Sequence, residues 1–288
     1  MGRIDRYASF GFRKSWLQSF VVHGGDIDFW ISEADGLAPN KRQDACHQFM
    51  QDAELIEGKW KNKKNPDTGD KEKDYSAIMN KPLGEKVLEL GADNAAIWAI
   101  AFVNLVSNSD VPTFRWFLQN CELFQPYDDK MLFEMLQPCF VNDEKGHGKQ
   151  NVVDSLKIIF ATSPLGQDRI ITDIDFTTNE KNGNITLNSI TRQPWYTPIP
   201  EVILYALYKF AEKCDYYQFT LSYLMDESIE REGVSPTTIF GLDRETMIRL
   251  LNGLAMNYPD YISASFVMSL ETITLQRDRH AEDILQLL

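Results

Sequence analysis

Apolar residues recur at helical spacing in the segment NKRQDACHQFMQDAELI, residues 40–56. Ala45, Phe49 and Ala53 follow one another at intervals of four, with further apolar residues beside them, so one stripe of an α-helix is apolar. Asn40 is a residue type that caps helix N-termini. The other positions predict a polar, hydrogen-bonding outer face made of Lys41, Gln43, Asp44, His47, Gln48 and Gln51.

Lysines alternate with other residues shortly after this helix, at Lys59, Lys61 and Lys63, and Lys64 follows. A period of two predicts a strand with these lysines on one face. The segment NPDTGD supplies a turn, and KDYSAIMN returns as a second strand. With the short helix that FRKSWLQSFVV predicts upstream, this is the element order of a winged helix-turn-helix. In that fold the lysine strand belongs to the wing, where it contacts phosphate.

The remainder of the chain predicts further helices and two hairpins. The middle segments are helical in pattern up to residue 165, and IITDIDFT and ITLNSIT flank an Asn-Gly turn that predicts a β-hairpin. Three helical segments then follow (PEVILYALYKF, FTLSYLMDESI and LDRETMIRLLNGLAMN), and two short strands end the pattern, again in winged-helix order. We therefore predict a mostly α, α+β protein. Its domains are a winged helix-turn-helix (1–91), a helical middle with a β-hairpin (92–194) and a winged-helix-like unit (195–288).

The charge is unevenly distributed along the 288 residues, whose formal net charge is −13. Residues 1–64 contain ten Lys or Arg against nine Asp or Glu, and the acidic excess lies in residues 65–288. An acidic surface repels nucleic acid, whereas a near-neutral N-terminal region with a basic hairpin does not. The acidic residues Asp226, Glu227, Glu230, Glu232 and Asp243 favour a protein partner with a basic surface for the last third.

The cysteine and apolar patterns bear on location. The four cysteines show no CxxC spacing, which is typical of reduced, buried thiols. The first ten residues contain no apolar signal core, and the longest apolar run, residues 95–106, is shorter than the roughly 20 residues that a bilayer requires. The sequence therefore predicts a cytoplasmic protein without membrane contact.

Eight segments, in their order and spacing, carry a resemblance to a known family. They are FRKSWL, AELIE, PLGEKVLE, IWAIAFVNLVSN with FRWFLQN, DSLKIIFAT, PIPEVILYALYKF and SPTTIFGLDRETMIRLLNGL. Over roughly residues 10–275 the chain resembles the bacterial family catalogued as domain of unknown function number four thousand and seven. It departs from that family at GLAPN, where the family has a tight Gly-x-Gly turn.

The resemblance implies a genomic context rather than a reaction. Members of this family are often encoded beside proteins similar to phosphoadenosine-phosphosulfate reductase, in loci for DNA phosphorothioation and other phage defence. The expected partners are therefore double-stranded DNA and a reductase-like sulfurtransferase or another defence-system protein. The family supplies no agreed catalytic residue.

The sequence offers little for catalysis or cofactor binding. The histidines have no ligand spacing, and phosphate-binding, dinucleotide-binding and nucleophile motifs do not occur, so we predict no cofactor and no metal. Asp173 and Asp175 share one face of a predicted strand, a weak nuclease pattern that lacks the accompanying lysine. Trp60 is either a stacking residue or a packing residue of the sheet.

These observations predict a non-enzymatic DNA-binding or adaptor subunit. DNA contact is expected at Asn40, Lys41, Gln43, Asp44, His47, Gln48, Gln51, Lys59, Lys61, Lys63 and Lys64. The alternative is a protein-only scaffold or regulator, since winged helices also bind proteins.

Overall fold

The structure is a computed structural model of the chain, and it describes residues 4–7, 9–31, 42–64, 71–140, 146–179, 184–267 and 270–288. The helices are α1 (Lys14–Val22), α2 (Ile27–Ile31), α3 (His47–Asp52), α4 (Pro82–Leu90), α5 (Ala95–Ser107), α6 (Pro112–Asn120), α7 (Asp129–Met135), α8 (His147–Ala161), α9 (Pro164–Gln167), α10 (Pro200–Cys214), α11 (Leu221–Met225), α12 (Pro236–Phe240), α13 (Arg244–Asn257) and α14 (Ala281–Ile284). A π-helical turn, Arg42–Cys46, leads directly into α3, and 3₁₀ turns occupy Gln137–Cys139 and Leu285–Leu287. No helix in these ranges has the length and apolar character that crossing a bilayer requires.

The strands form four antiparallel sheets within the described residues. They are β1 (Ile56–Glu57), β2 (Lys61–Lys64), β3 (Lys71–Asp74), β4 (Met79–Asn80), β5 (Pro126–Tyr127), β6 (Thr172–Thr178), β7 (Ile185–Arg192), β8 (Gln218–Thr220), β9 (Ile262–Val267) and β10 (Leu270–Leu275). β1 pairs with β4 and β2 with β3, while the three-stranded sheets have the orders β5-β7-β6 and β8-β10-β9. Helices with small antiparallel sheets make this an α+β fold.

The two three-stranded sheets share one arrangement along the chain. Each follows a helix (α6 or α10), begins with a very short strand, continues through further helices and ends in a hairpin. In each, the short first strand pairs with the last strand of the hairpin. The middle segment is therefore built like the C-terminal one, a similarity that the sequence pattern does not reveal.

Two kinds of residue mark the starts of these helices. Capping side chains accept hydrogen bonds from the first backbone N–H groups, and prolines have no backbone N–H to be satisfied. The Asn94 side chain accepts from the amide of Ala96 at 2.9 Å at the start of α5, and Asp243 accepts from Thr246 at 2.8 Å at the start of α13. Proline occupies the first turn of α6 and α10, where its missing N–H has no intrahelical partner in any case. These helices match the predicted ones.

The core is one cluster of buried apolar side chains that runs from the N-terminal segment to the last helix. Helix α5 lies within it, and every residue of α5 after the first is buried. Its one amide side chain, Asn104, donates to the carbonyl of Ala53 at 2.9 Å and accepts from the hydroxyl of Tyr205 at 2.8 Å. A buried polar network thus connects all three predicted domains, whose boundaries remain a prediction.

Two predicted elements differ in the structure. The segment FTLSYLMDESI does not form one helix, because Gln218–Thr220 pairs with β10 and Thr220 then caps the short α11. The helix predicted over residues 40–56 ends at Asp52, since Glu54 adopts a left-handed conformation with φ of 60°. The predicted turns at NPDTGD and around Lys181–Gly183, and the GLAPN segment, lie outside the described residues.

Candidate functional site

A buried carboxylate organises the N-terminal surface. Asp52, at the end of α3, is 4% exposed and receives hydrogen bonds from three side chains. Arg6 donates through Nε at 2.7 Å and Nη2 at 2.9 Å, and the Tyr7 hydroxyl donates at 2.9 Å. Gln48 Nε2 lies 3.1 Å from both carboxylate oxygens. The two hydrogen bonds from the Arg6 guanidinium to Asp52 fix the segment around Arg6 against α3.

The same contacts perturb the two donors from the N-terminal segment. Hydrogen bonding to Asp52 raises the pKa of Arg6, so the guanidinium stays charged. Burial raises the pKa of Tyr7 well above its usual value, and the charge of Asp52 acts in the same direction. The Tyr7 ring also stacks on Phe49 at 3.6 Å between centroids. Tyr7 is therefore a neutral donor held between the core and Asp52.

His47 does not lie on the solvent-facing side of the helix, as the polar pattern predicts. It is buried, its Nε2 lies 3.1 Å from the carbonyl oxygen of Gly58, and its ring meets the edge of Trp30. Burial lowers the pKa of His47, so the neutral ring donates to Gly58 at pH 7. The reason is tertiary: the base of the following hairpin covers the polar side of α3, which local periodicity does not register.

The base of the hairpin depends on a glycine. Gly58 has a φ of +85°, and a Cβ there would lie 1.7 Å from the carbonyl oxygen of Ala77. This close approach brings β1 and β4 together beneath the lysine strand. The hairpin therefore leaves the body of the protein from a tightly packed base.

The lysine strand has a paired return strand, as predicted, but it begins at Lys61, and the return strand is Lys71–Asp74 rather than the whole of KDYSAIMN, in which residues 75–78 belong to no strand. Lys61 pairs with Asp74 and Lys64 with Lys71, and every residue of Lys61–Lys64 is exposed. Hydrogen bonds from Ser76 lower the pKa of Asp74, and the charges of Lys63 and Lys61 add to that effect. Asp74 therefore offsets part of the positive charge on the face that Lys61 and Lys63 share.

Trp60 is a packing residue that also contacts a lysine of the hairpin. It is partly buried against the core, and the Lys73 ammonium lies 4.0 Å from its ring centroid. A cation at this distance is attracted by the face of the ring. Trp60 thus joins the hairpin to the body of the protein rather than projecting as a stacking platform.

Helix α3, the N-terminal segment and the base of the hairpin enclose a groove of about 540 Å³, which we call the N-terminal groove. Its described lining is Arg6, Tyr7, Phe10, Asp44, Ala45, His47, Gln48, Lys59 and Trp60. Of the predicted DNA-contacting residues it brings together Asp44, His47, Gln48 and Lys59. A concave surface of this size with aromatic walls and cations is typical of a ligand site.

The other predicted DNA-contacting residues lie outside this groove or outside the residues that the structure describes. Lys61, Lys63 and Lys64 continue along the exposed strand, and Gln51 is half-buried on α3. The backbone of Gln43 belongs to the π-helical turn. Asn40 and Lys41 lie outside the described residues. For all of the residues named for DNA contact, that contact remains a prediction.

Four residues of this surface have no distinguishing sequence signal. Arg6, Tyr7 and Phe10 come from a segment without periodicity, and Asp52 resembles any acidic residue on a helix. Asp52 is 46 residues from Arg6 in sequence.

Elsewhere the acidic side chains support local structure. The Asp173 carboxylate accepts from Arg169 at 3.1 Å, and the pairing register with β7 shifts between Asp175 and Phe176. Asp226 accepts from the backbone and hydroxyl of Ser228. Across the described residues, no group of three or more His, Cys, Asp or Glu side chains is placed to hold a metal ion.

The mixed α/β architecture of this chain occurs in solved structures. Two of them are crystal structures of SspB. The magnesium-ion-bound SspB structure aligns with a TM-score of 0.63 and 11% identity, covering 99% of this chain and 86% of that chain. A second SspB structure aligns with a TM-score of 0.59 and 12% identity over the same shares. At this identity the likeness shows the fold alone. No protein-family model matches the sequence, and no curated protein matches it.

Proposed function

We propose that this chain is a non-enzymatic DNA-binding or adaptor subunit of a bacterial DNA sulfur-modification or phage-defence system. The observation that carries the proposal is the exposed lysine hairpin, which rises directly beside the N-terminal groove. Lys59 lines the groove, and Lys61, Lys63 and Lys64 extend from it. A continuous row of cations next to a concave surface suits a phosphate backbone.

DNA contact in this proposal is mainly with phosphate. Two residues that could read base edges are occupied internally: Gln48 donates to Asp52, and His47 bonds Gly58. With these two groups occupied, the described part of that face offers charge but few base-specific donors. The chain then binds duplex DNA with little sequence preference, and specificity comes from a partner or from the chemistry of the backbone.

The setting in DNA sulfur modification rests on two independent supports. One is the sequence resemblance to a family encoded beside reductase-like proteins in phosphorothioation loci. The other is the shared fold with SspB, a protein of the phosphorothioation system. The partner we propose is a sulfurtransferase similar to phosphoadenosine-phosphosulfate reductase. The C-terminal sheet, whose first strand lies beside its last, fits the winged-helix interpretation of that segment.

Fluorescence anisotropy with a labelled duplex tests the DNA contact. Wild-type protein is compared over a salt series with a variant carrying Lys→Glu at Lys59, Lys61, Lys63 and Lys64. We expect a log-log salt slope of about −3 to −4, since each neutralised phosphate contributes about −0.9. The charge-reversed variant should lose binding. A phosphorothioate duplex in the same assay measures preference for modified DNA.

A matched pair separates local contact from total charge. The hairpin pair is Lys61→Glu with Lys63→Glu, and the control pair is Lys130→Glu with Lys213→Glu. Both pairs change the net charge by the same amount, and the control lysines are exposed on helices α7 and α10. Only the hairpin pair should weaken binding and flatten the salt slope. Equal loss in both pairs, or no binding by wild type at low salt, would contradict DNA contact through the hairpin.

A protein-only scaffold is the second candidate. It is favoured by the internal use of His47 and Gln48 and by the carboxylate of Asp74 beside Lys61 and Lys63. Under this alternative the lysines meet an acidic protein. Charge reversal of the hairpin then breaks a complex with the sulfurtransferase-like partner and leaves DNA affinity unchanged.

A further inference from the structure

Strand β9 lies at an open edge of the C-terminal sheet. In the order β8-β10-β9 it pairs with β10 on one side, and no other strand of the described residues pairs with it. Its sequence, ISASFV, contains no charged residue, no proline and no glycine. Proteins protect their edge strands with charged residues, prolines or short length, because an unprotected edge pairs with another strand. β9 has none of these protections.

The other sheet edges of the described residues are protected. β5 has two residues and β8 has three. β6 is longer, but it carries Asp173 and Asp175, and β2 carries three lysines in four residues. In the part of the chain that the structure describes, β9 is therefore the longest edge strand without a charged side chain.

Two backbone hydrogen bonds show how β9 is paired with β10. The Gln276 amide donates to the carbonyl of Tyr261 at 3.0 Å, whereas the Leu275 amide donates to the opposite side, to the carbonyl of Tyr217 at 2.8 Å. Hydrogen-bonded and non-hydrogen-bonded pairs alternate along an antiparallel ladder. The pair of Ile262 with Leu275 is therefore non-hydrogen-bonded, and the backbone groups of Ile262 point away from β10.

The same alternation directs the backbone groups of Ala264 and Phe266 to the open edge. The amide of Ile262 is used locally, since it donates to the carbonyl of Tyr258 at 3.1 Å. Among the described residues, the backbone groups of Ala264 and Phe266 have no hydrogen-bond partner at that edge. Their side chains are only partly buried against the core. The edge thus presents two free donors, two free acceptors and incompletely covered apolar side chains.

We propose that β9 pairs with β9 of a second copy of this chain, antiparallel about a two-fold axis beside Ser265. Ala264 of each copy then pairs with Phe266 of the other, and the two pairs form four hydrogen bonds. A register centred on Ala264 instead leaves the Phe266 carbonyl without a donor, because the Ile262 amide is occupied by Tyr258. The register centred on Ser265 satisfies all of the free groups.

Symmetry and charge favour a second copy over a strand of another protein. In this register the ring of Phe266 lies on the same face as Ala264 of the other copy, and the small residue leaves room for the ring. The two-fold axis repeats this contact, as a self-complementary interface requires. Two copies with a net charge of −13 repel each other, but β9 places no carboxylate at the axis. This dimer goes beyond the proposed function and does not depend on DNA contact.

Sedimentation velocity of the full chain over a concentration series tests the dimer. Wild type should dimerise reversibly, and more strongly at higher salt, because salt screens the repulsion between the copies. Ser265→Glu should weaken the dimer about fivefold, since like charges directly opposite each other oppose pairing. Thr177→Glu adds the same charge at an exposed position of β6 and should dimerise as wild type does.

A wild-type chain that remains monomeric at concentrations up to about 1 mM overturns the proposal. Equal weakening by Ser265→Glu and Thr177→Glu also overturns it, because the dimer would then respond to total charge rather than to the β9 edge. A dimer that weakens as salt is added would contradict the uncharged interface.

Oxidative cross-linking tests the register. Both variants carry Cys139→Ser, since Cys139 is an exposed cysteine. In Ser265→Cys the two Cα atoms lie about 4.5 Å apart across the axis, within the range of a disulfide. In Ser263→Cys, at an exposed position of the same strand, they are separated by about 13 Å along the strand. Only Ser265→Cys should give a disulfide-linked dimer on a non-reducing gel, and equal cross-linking of both variants, or none in Ser265→Cys, overturns this pairing.

Discussion

The wall of the N-terminal groove depends on Asp52, and its removal should be costly. In Asp52→Ala the forked contact to Arg6 disappears and the buried hydroxyl of Tyr7 loses its acceptor. Removing one partner of a buried ion pair costs about 3–5 kcal/mol. The Arg6 side chain is 28% exposed and recovers some hydration. We therefore expect a loss of about 3 kcal/mol in the free energy of unfolding, which includes the unsatisfied Tyr7 hydroxyl.

Urea denaturation followed by tryptophan fluorescence measures this loss, and a thermal melt should show the midpoint fall by about 6 °C, at roughly 2 °C per kcal/mol. Glu134→Ala is the control, since its carboxylate is exposed and pairs with Lys130 at 3.8 Å. An exposed pair contributes less than about 1 kcal/mol.

A double-mutant cycle tests the physical reason. If the cost arises from an unpaired guanidinium, Arg6→Leu together with Asp52→Ala should be less destabilising than the sum of the two single variants. A cost below about 1 kcal/mol for Asp52→Ala, or strictly additive effects, would show that this ion pair does not stabilise the groove wall.

Two further predictions concern His47 and two helical glycines. Burial lowers the pKa of His47, so as the pH falls the unfolded state takes up the imidazole proton before the folded state does. The free energy of unfolding should therefore decrease as the pH drops below about 6.5. Urea titrations at a series of pH values should show a shallower decrease in His47→Gln, and parallel stability curves for the variant and the wild type would contradict this. A Cβ at Gly84 in α4 would lie 2.1 Å from the carbonyl oxygen of Leu55, whereas one at Gly253 in α13 has no atom within 4 Å. Thermal melts should therefore show Gly84→Ala destabilised and Gly253→Ala stabilised by about 0.5–1 kcal/mol, as helix propensity requires; the same sign for both variants would refute the packing argument.

Local sequence signals predicted the elements whose stabilising contacts are local. The predicted apolar stripe, which runs from the π-helical turn through α3, is buried as its spacing indicates, since Ala45, Phe49 and Ala53 are at most 6% exposed. The lysine strand and its pairing in a hairpin were also predicted. In both cases the signal is a repeat or a turn within a few residues, so it needs no information about distant parts of the chain.

Elements that depend on distant partners were missed. The strand Gln218–Thr220 has three residues, too few for periodicity, and exists because β10 pairs with it. Pro126–Tyr127 is shorter still and depends on β7. The Arg6 contact with Asp52 likewise joins residues far apart in sequence. No local pattern encodes such pairings, so the walls of the N-terminal groove became visible only in three dimensions.

The separation of charge along the chain sets the conditions under which the hairpin meets DNA. From Lys61 to Lys64 the strand spans about 10 Å at roughly 3.3 Å per residue, which exceeds the Debye length of about 8 Å at physiological ionic strength. Under those conditions a phosphate near the hairpin end interacts with the local lysines, and the repulsion from the acidic body is screened. At 0.01 M salt the Debye length is about 30 Å, and the acidic residues after position 64 then oppose binding. The salt slope should therefore flatten at low salt, because the long-range repulsion grows as the lysine contacts strengthen.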